Sequence, residues 1–168
     1  SGAFAAGAQR DCFLNWDELL NPVYMRPDWC TKYVSMTWRD GKFYIFHSAF
    51  YMDDGVIRSH VNAMSTRDFQ TFSEPILHIS GREDGWIGMC SPDIQYLNGT
   101  YYLTFNSWGD KPDKLNQLFY KTSKDLEHWS ERKPLAKNLT DGIRAIDVTM
   151  TYEAGKYIIL YKEKQTMR

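Results

Sequence analysis

Apolar and polar residues alternate along much of this chain, most clearly over residues 90–107, CSPDIQYLNGTYYLTFNS. Two short strands are predicted there, over 93–97 and 101–106, joined at Asn98-Gly99. Asn and Gly both accept the positive φ of a two-residue turn, so this pair between alternating runs is a strong hairpin signal. The pattern stands again upstream in WRDGKFYIFHS, residues 38–48, and downstream in TYEAGKYIILYKE, residues 151–163. The turn glycines Gly41, Gly99 and Gly155 are 58 and 56 residues apart.

A second element keeps the same interval. STRDFQTFSEPIL begins at Ser65 and SKDLEHWSERKPL at Ser123, so that Asp68 recurs as Asp125 and Phe72 as Trp129, both 57 residues on. Two independent marks with one period indicate a tandem array of one supersecondary unit. The unit is a hairpin, a third strand (56–66; 116–122), a polar turn closing on an aromatic, and a last short strand near Ile76 or Pro134. That composition suits a four-stranded propeller blade. No window carries a sustained helical stripe, which argues against a helical solenoid. The expected fold is therefore all-β: about two and a half blades of a propeller, with antiparallel four-stranded blades. Residues 1–29 form a lead-in, and the blade units span about 30–80, 81–140 and 141–168.

Within this frame, residues 11–20 (DCFLNWDELL) read as a helical turn or an irregular lead-in, ended by Pro22 and Pro27. The first hairpin is expected over 33–38 and 42–48, and Asp53-Asp54-Gly55 turns into the third strand. Residues 80–88, SGREDGWIG, are a glycine-rich connection, and Trp108-Gly109-Asp110-Lys111-Pro112 is a loop. The third hairpin is present, but Arg168 stands where its third strand is due. A propeller ring takes roughly four or more blades. The expectation is a longer natural polypeptide, with self-association or a complementing second half as the alternative.

Composition narrows the partners. At 168 residues, 43% hydrophobic and 24% charged, the chain can bury one substantial core. A net charge of −1 without a basic cluster leaves nothing to hold a phosphate backbone, so nucleic acid is not an expected partner. No run approaches the roughly 20 apolar residues of a membrane helix. Aromatics make up 15%, which fits strand-rich structure or a carbohydrate-facing surface. Cys12, Cys30 and Cys90 cannot all pair and match no zinc spacing, so they read as buried or idle thiols. The opening SGAFAAGAQ reads as a tag scar beside the end of a removed signal peptide, which makes a secreted or periplasmic setting the expectation.

Three motifs in order carry a resemblance. Cys90-Ser91-Pro92-Asp93-Ile94 running to Leu103 is similar to the second-blade W-A-P-[DE]-I…N-G-K-Y-Y-L segment of family 43 glycoside hydrolases. Ser123, Asp125, Leu126 and Trp129 match their S-x-D-L-x-x-W blade ending. Ile146-Asp147 ahead of Gly155-Lys156-Tyr157 matches the third-blade I-D and G-x-Y-Y-L. The chain thus resembles the first half of such an enzyme over residues 30–168, a five-bladed propeller related to arabinanases, xylosidases and fructosidases. The resemblance implies arabinose- or xylose-containing oligo- or polysaccharide as substrate. The implied chemistry is inverting hydrolysis, in which one carboxylate activates water and an acid about 6.5–9.5 Å away protonates the leaving oxygen. A third carboxylate beside the acid raises its pKa.

Carried over by position, Asp147 takes the third-blade, pKa-tuning role, ten residues before Tyr157. The matching first-blade position, ten before Phe43, is Tyr33, so the expected base is absent there and Tyr33 is kept as a substrate contact. Asp28 is the nearest upstream carboxylate and serves as base only if the loop is re-routed. The fourth-blade Glu would lie beyond Arg168, so this chain alone is expected to be inactive. The competing expectation is a carbohydrate-binding or assembly propeller without hydrolytic activity. No cofactor is implied. Propellers of this kind admit a structural calcium or other axial ion, for which the sequence shows no ligand set.

The remaining candidates have two readings each. Asp147 sits between Ile146 and Val148 in a strand start, where Asp is depleted, and serves either function or the local backbone. Asp93 is either a sugar contact or a structural carboxylate holding a loop amide. Arg144 is a clamp for a substrate hydroxyl or a solvated ion-pair partner. Trp86 and Trp108, both in loops, are stacking platforms or inter-blade packing. His47 reads as a core histidine. SKDLEHW loosely resembles the sialidase Asp-box without its glycine, and Trp129 reads as inter-blade packing. Asn98-Gly-Thr100 and Asn138-Leu-Thr140 fit the N-glycosylation pattern.

Overall fold

The computed structural model describes residues 16–109 and 111–164. The opening segment, residues 11–15 of the expected helical lead-in, Cys12 and Asp110 lie outside the described residues. Of the lead-in, Trp16–Glu18 forms a single 3-10 turn.

Strands β1 (Cys30–Arg39), β2 (Lys42–Asp53), β3 (Val56–Thr66) and β4 (Leu77–Ile79) pair antiparallel in chain order as a first blade. Strands β5 (Gly88–Leu97), β6 (Thr100–Trp108), β7 (Leu118–Ser123) and β8 (Lys133–Pro134) repeat the order as a second. Strands β9 (Ala145–Glu153) and β10 (Lys156–Glu163) form the hairpin of a third. The third strand of the second blade starts at Leu118, two residues later than expected. Asn116 is instead buried as a bridge, donating from Nδ2 to the Ser107 carbonyl at 2.9 Å.

Four hairpin turns place positive φ at both central residues: Asp40-Gly41, Asp54-Gly55, Asn98-Gly99 and Ala154-Gly155. Such turns match the right-handed twist of the strands they join. The blade endings also repeat bond for bond. Asp68 Oδ1 accepts from the Gln70 and Thr71 amides, and Asp125 Oδ1 accepts from the Glu127 and His128 amides. Each turn closes on its aromatic through one bridge, Thr66 with Phe72 and Ser123 with Trp129.

Alternation along each strand decides what packs between blades. Tyr44 and Phe46 of β2 with Val61 and Ala63 of β3 face blade 2, where they meet Ile94, Leu103, Phe105 and Phe119. A smaller cluster of Leu118, Ala145 and Val148 joins blade 2 to β9. Among the described residues, strand pairing between the first two blades is a single parallel bridge, Ser59 with Gly88. Outer faces at both ends stay exposed, with Val34, Met36 and Trp38 on β1 and Ile158 and Leu160 on β10.

Candidate functional site

The first strand of each blade breaks its register at the same place. The shift falls between Lys32 and Ser35 in β1, between Cys90 and Asp93 in β5, and opposite Leu160 and Lys162 in β9. At each bulge one residue takes left-handed φ: Tyr33 at 55°, Ser91 at 55° and Asp147 at 53°. All three stand eight residues before a turn glycine, so the structure places Tyr33, Ser91 and Asp147 at equivalent positions. Non-glycine residues in this region are strained and need outside support.

That support comes from the preceding blade. The Ser91 amide donates to Ser48 Oγ at 2.8 Å, and the Asp147 amide donates to Asn106 Oδ1 at 3.0 Å. Ser48 and Asn106 are 58 residues apart and occupy the same position on β2 and β6. Asn106 is itself oriented, because its Nδ2 donates to the Ser107 carbonyl at 3.0 Å and lies 3.5 Å from Cys90 Sγ. Burial pushes the Cys90 thiol up to about 11, so it stays a neutral thiol beneath the bulge. The Asp147 side chain is exposed, and its Oδ1 accepts from Ser91 Oγ at 3.0 Å.

Asp93 lies two residues past its bulge and ties three blades together. Ser35 Oγ donates to Asp93 Oδ1 at 3.2 Å, and Thr149 Oγ1 and Gln95 Nε2 donate to Oδ2 at 2.6 and 3.2 Å. Ser35, Asp93 and Thr149 are again equivalent positions, two past each bulge. Both carboxylate oxygens are engaged within the protein, which is the geometry of a clamp.

An aromatic row flanks the bulges. Tyr33, 55% exposed, packs 6.4 Å from Phe50, and Phe50 meets the half-buried Trp108 edge-on at 5.2 Å. Trp86 is absent from this row. It is only 5% exposed, packs edge-on against Phe119 and carries Lys114 Nζ 4.2 Å over its ring. The connection 81–86 folds back through a Trp86 amide bond to the Gly81 carbonyl, which delivers the indole to the core and leaves no open face for a sugar.

Asp28 is engaged locally. Arg26 grips both its oxygens at 3.1 and 3.0 Å and holds its carboxyl below the usual range, which makes it a weaker base. Arg144 is half-buried, donating to Asn116 Oδ1 and to the Lys111 carbonyl, both at 3.3 Å. Sequence reasoning missed Ser48, Ser91 and Asn106. Counting eight back from each turn glycine would have marked Ser91.

Among the described residues no group of three or more His, Cys, Asp or Glu is placed to hold a metal ion. No helix among them is long and apolar enough to cross a membrane.

No protein-family model matches the sequence, and no curated protein matches it. Solved structures do. A glycosyl hydrolase from Bacteroides ovatus superposes with a TM-score of 0.60 at 19% identity, over 78% of this chain and 43% of that one. A Bombyx mori family GH32 β-fructofuranosidase gives a TM-score of 0.60 at 14% identity, over 83% of this chain and 31% of its own. A GH43 enzyme from Xanthomonas citri complexed with xylotriose gives 0.55 at 21%, over 80% of this chain and 40% of its own. This chain therefore spans less than half the length of each. At these identities the likeness establishes architecture, and the fold is that of part of a five-bladed β-propeller of the kind found in the family 43 and family 32 glycoside hydrolases.

Proposed function

We propose that the bulge end of the inner strands is a saccharide site of a glycoside hydrolase-like propeller. One observation carries the reading: Asp147 presents an exposed carboxylate on a locked, strained bulge, aligned by the Ser91 hydroxyl. Strain maintained by neighbouring blades is characteristic of sites where geometry matters more than stability. Trp108 and Tyr33 supply aromatic edges and faces along the row that passes through Phe50, the side chains that sugar rings stack on. Arabinose- or xylose-containing chains are the proposed ligands. The matched structures include an enzyme with bound xylotriose and a Coprinopsis cinerea GH62 α-L-arabinofuranosidase, the latter at a TM-score of 0.52.

In this reading Asp147 tunes an acid carried on a further blade, in an inverting reaction completed by a longer chain or a complementing second half, in a secreted or periplasmic setting. A second reading has its own observation. Tyr33 occupies the first-blade position equivalent to Asp147, and a phenol there does not activate water as a carboxylate does. Binding without hydrolysis follows from that replacement.

The test titrates the protein from its native source with xylo- and arabino-oligosaccharides by calorimetry and assays released reducing ends. Binding and release that both fall in Asp147→Asn support the hydrolase. Saturable binding without release supports the second reading. Absence of binding to either sugar series refutes both.

A further inference from the structure

Blade 1 turns one face away from blade 2, and that face is built from imidazoles. Because Phe46 and Val61 point toward blade 2, His47 on β2 and His60 and Asn62 on β3 point the other way. Asn62 pairs with His78 on β4, and the His60 and His78 rings lie 4.1 Å apart. His47, His60 and Asn62 are all buried.

Their cover is the lead-in. Trp29 stands edge-on to His60 at 5.5 Å and tilted over His47 at 6.3 Å, while Tyr24 packs on His47 at 6.1 Å and on Phe72 at 5.1 Å. Arg26 lies 4.7 Å over the Trp29 ring and pairs with Asp28 at 3.0 Å and Glu74 at 4.0 Å. Among the described residues no backbone hydrogen bond ties 21–29 to the blade, so side chains alone hold it.

Hydrogen-bond accounting fixes the protonation state beneath this cover. His47 Nδ1 lies 3.2 Å from the Ser48 carbonyl, which only accepts, so Nδ1 carries the proton. Its Nε2 then accepts from Asn62 Nδ2 at 3.1 Å, and the ring is neutral. Asn62 Oδ1, His60 Nδ1 and Trp29 Nε1 are buried without partners. The cluster is held by ring packing around neutral imidazoles, with three polar atoms that water would satisfy.

We propose that residues 21–29 are an acid-released strap, held on blade 1 by neutral imidazoles and lifted when those imidazoles protonate. A charge on His60 sits under an indole edge and beside the His78 ring. A proton on His47 Nε2 meets the Asn62 amide N–H, and only rotation of that amide relieves it. The groups facing the cluster are Tyr24, Arg26 and Asp28 on the strap, Tyr51 on β2, Glu74 after β3, and His78 and Glu83 around β4. Of these, Asp28 favours a charged His60 and Glu83 a charged His78, while His78 and His47 oppose a charge on His60.

Burial holds His47 below the ordinary imidazole range and His60 at about 4, and partial desolvation lowers the more exposed His78 as well. In the lifted, hydrated state these groups return toward about 6.5. Closure is therefore at full strength above that value and weakens as pH falls toward 4, by a few hundredfold in the closed-to-open ratio from His60 alone.

The experiment is 19F NMR of the full chain carrying 5-fluorotryptophan, followed from pH 7.5 to 4, with the Trp29 resonance assigned by Trp29→Phe. The Trp29 signal should move to its solvent-exposed position below about pH 5 while the other five indoles keep theirs. His60→Phe keeps a ring and removes the proton, and should hold the signal docked to lower pH. His78→Gln, an exposed change, removes a like charge and one titrating imidazole, and should lower the midpoint. A Trp29 signal independent of pH overturns the proposal, as does an unmoved midpoint in His78→Gln or joint movement of all six indoles, which marks global unfolding.

Discussion

Replacing Asp93 with alanine separates a clamp from a sugar contact. The change deletes the carboxylate that receives Ser35 from blade 1 and Thr149 from blade 3. Hydrogen bonds to charged groups are each worth about 1.5–3 kcal/mol. Two cross-blade bonds would give up to about 6 kcal/mol, but both hydroxyls are half-buried and can rehydrate, so a loss of about 3 kcal/mol is expected. For a chain of this size that corresponds to a melting point lower by roughly 6–12 °C. Urea denaturation followed by tryptophan fluorescence measures it, and Ser35→Ala and Thr149→Ala complete double-mutant cycles with Asp93→Ala. Each cycle should return a coupling of about 1 kcal/mol or more. A loss under about 1 kcal/mol with no coupling, accompanied by loss of oligosaccharide binding, would refute the clamp and return Asp93 to the ligand.

Ala154 takes φ 49° where the equivalent turn residue is Asn98, so Ala154→Asn should stabilise the third hairpin by about 0.5–1 kcal/mol; an unchanged or lower urea midpoint contradicts this. Gly88→Ala would set a Cβ 2.3 Å from the Ser59 carbonyl oxygen, at the parallel backbone bridge between the first two blades. A loss of at least about 2 kcal/mol is expected, read from the same denaturation curves. In a Cys12→Ser background at pH 8, Cys30 should react at once with a disulfide reagent and Cys90 only on unfolding. Because the folded state holds the Cys90 proton more tightly, its contribution to stability is complete below pH about 9 and fades as pH rises through about 11. Prompt native labelling of both thiols would contradict that burial.

Much of the scaffold was legible because its signals are local. Asn98-Gly99 and Asp40-Gly41 declare a turn within two residues, and Asp68 and Asp125 bond to amides two and three residues on. The site was less legible because its contacts join positions 41 to 58 residues apart. Ser91 meets Asp147, Asn106 meets the Asp147 amide, and Ser35 and Thr149 meet Asp93, all through blade packing. The repeat interval carries that information, but Tyr33, Ser91 and Asp147, and Ser35, Asp93 and Thr149, differ in residue type from blade to blade, so no recurring letter marks them. Trp86 takes the packing reading of the two its sequence allows: a glycine-flanked connection reads as an open loop, and only its fold-back turns the ring inward. Asp28 was captured by Arg26, a partner two residues away and already visible as Arg-Pro-Asp.

The handing of the Ser91 and Asp147 amides to a side chain of the preceding blade separates frame from chemistry. Ser48 and Asn106 grip peptide N–H groups, not the side chains of Ser91 and Asp147. The backbone at Ser91 and Asp147 is therefore held through groups every residue but proline carries, while their side chains meet each other beyond it. Tyrosine, serine and aspartate occupy three copies of one socket at nearly identical φ. A propeller built this way behaves like a rack of interchangeable fittings: a nucleophile, an acid or an aromatic can be installed in one blade without recutting its neighbours, so a catalyst and a lectin can differ by a single side chain.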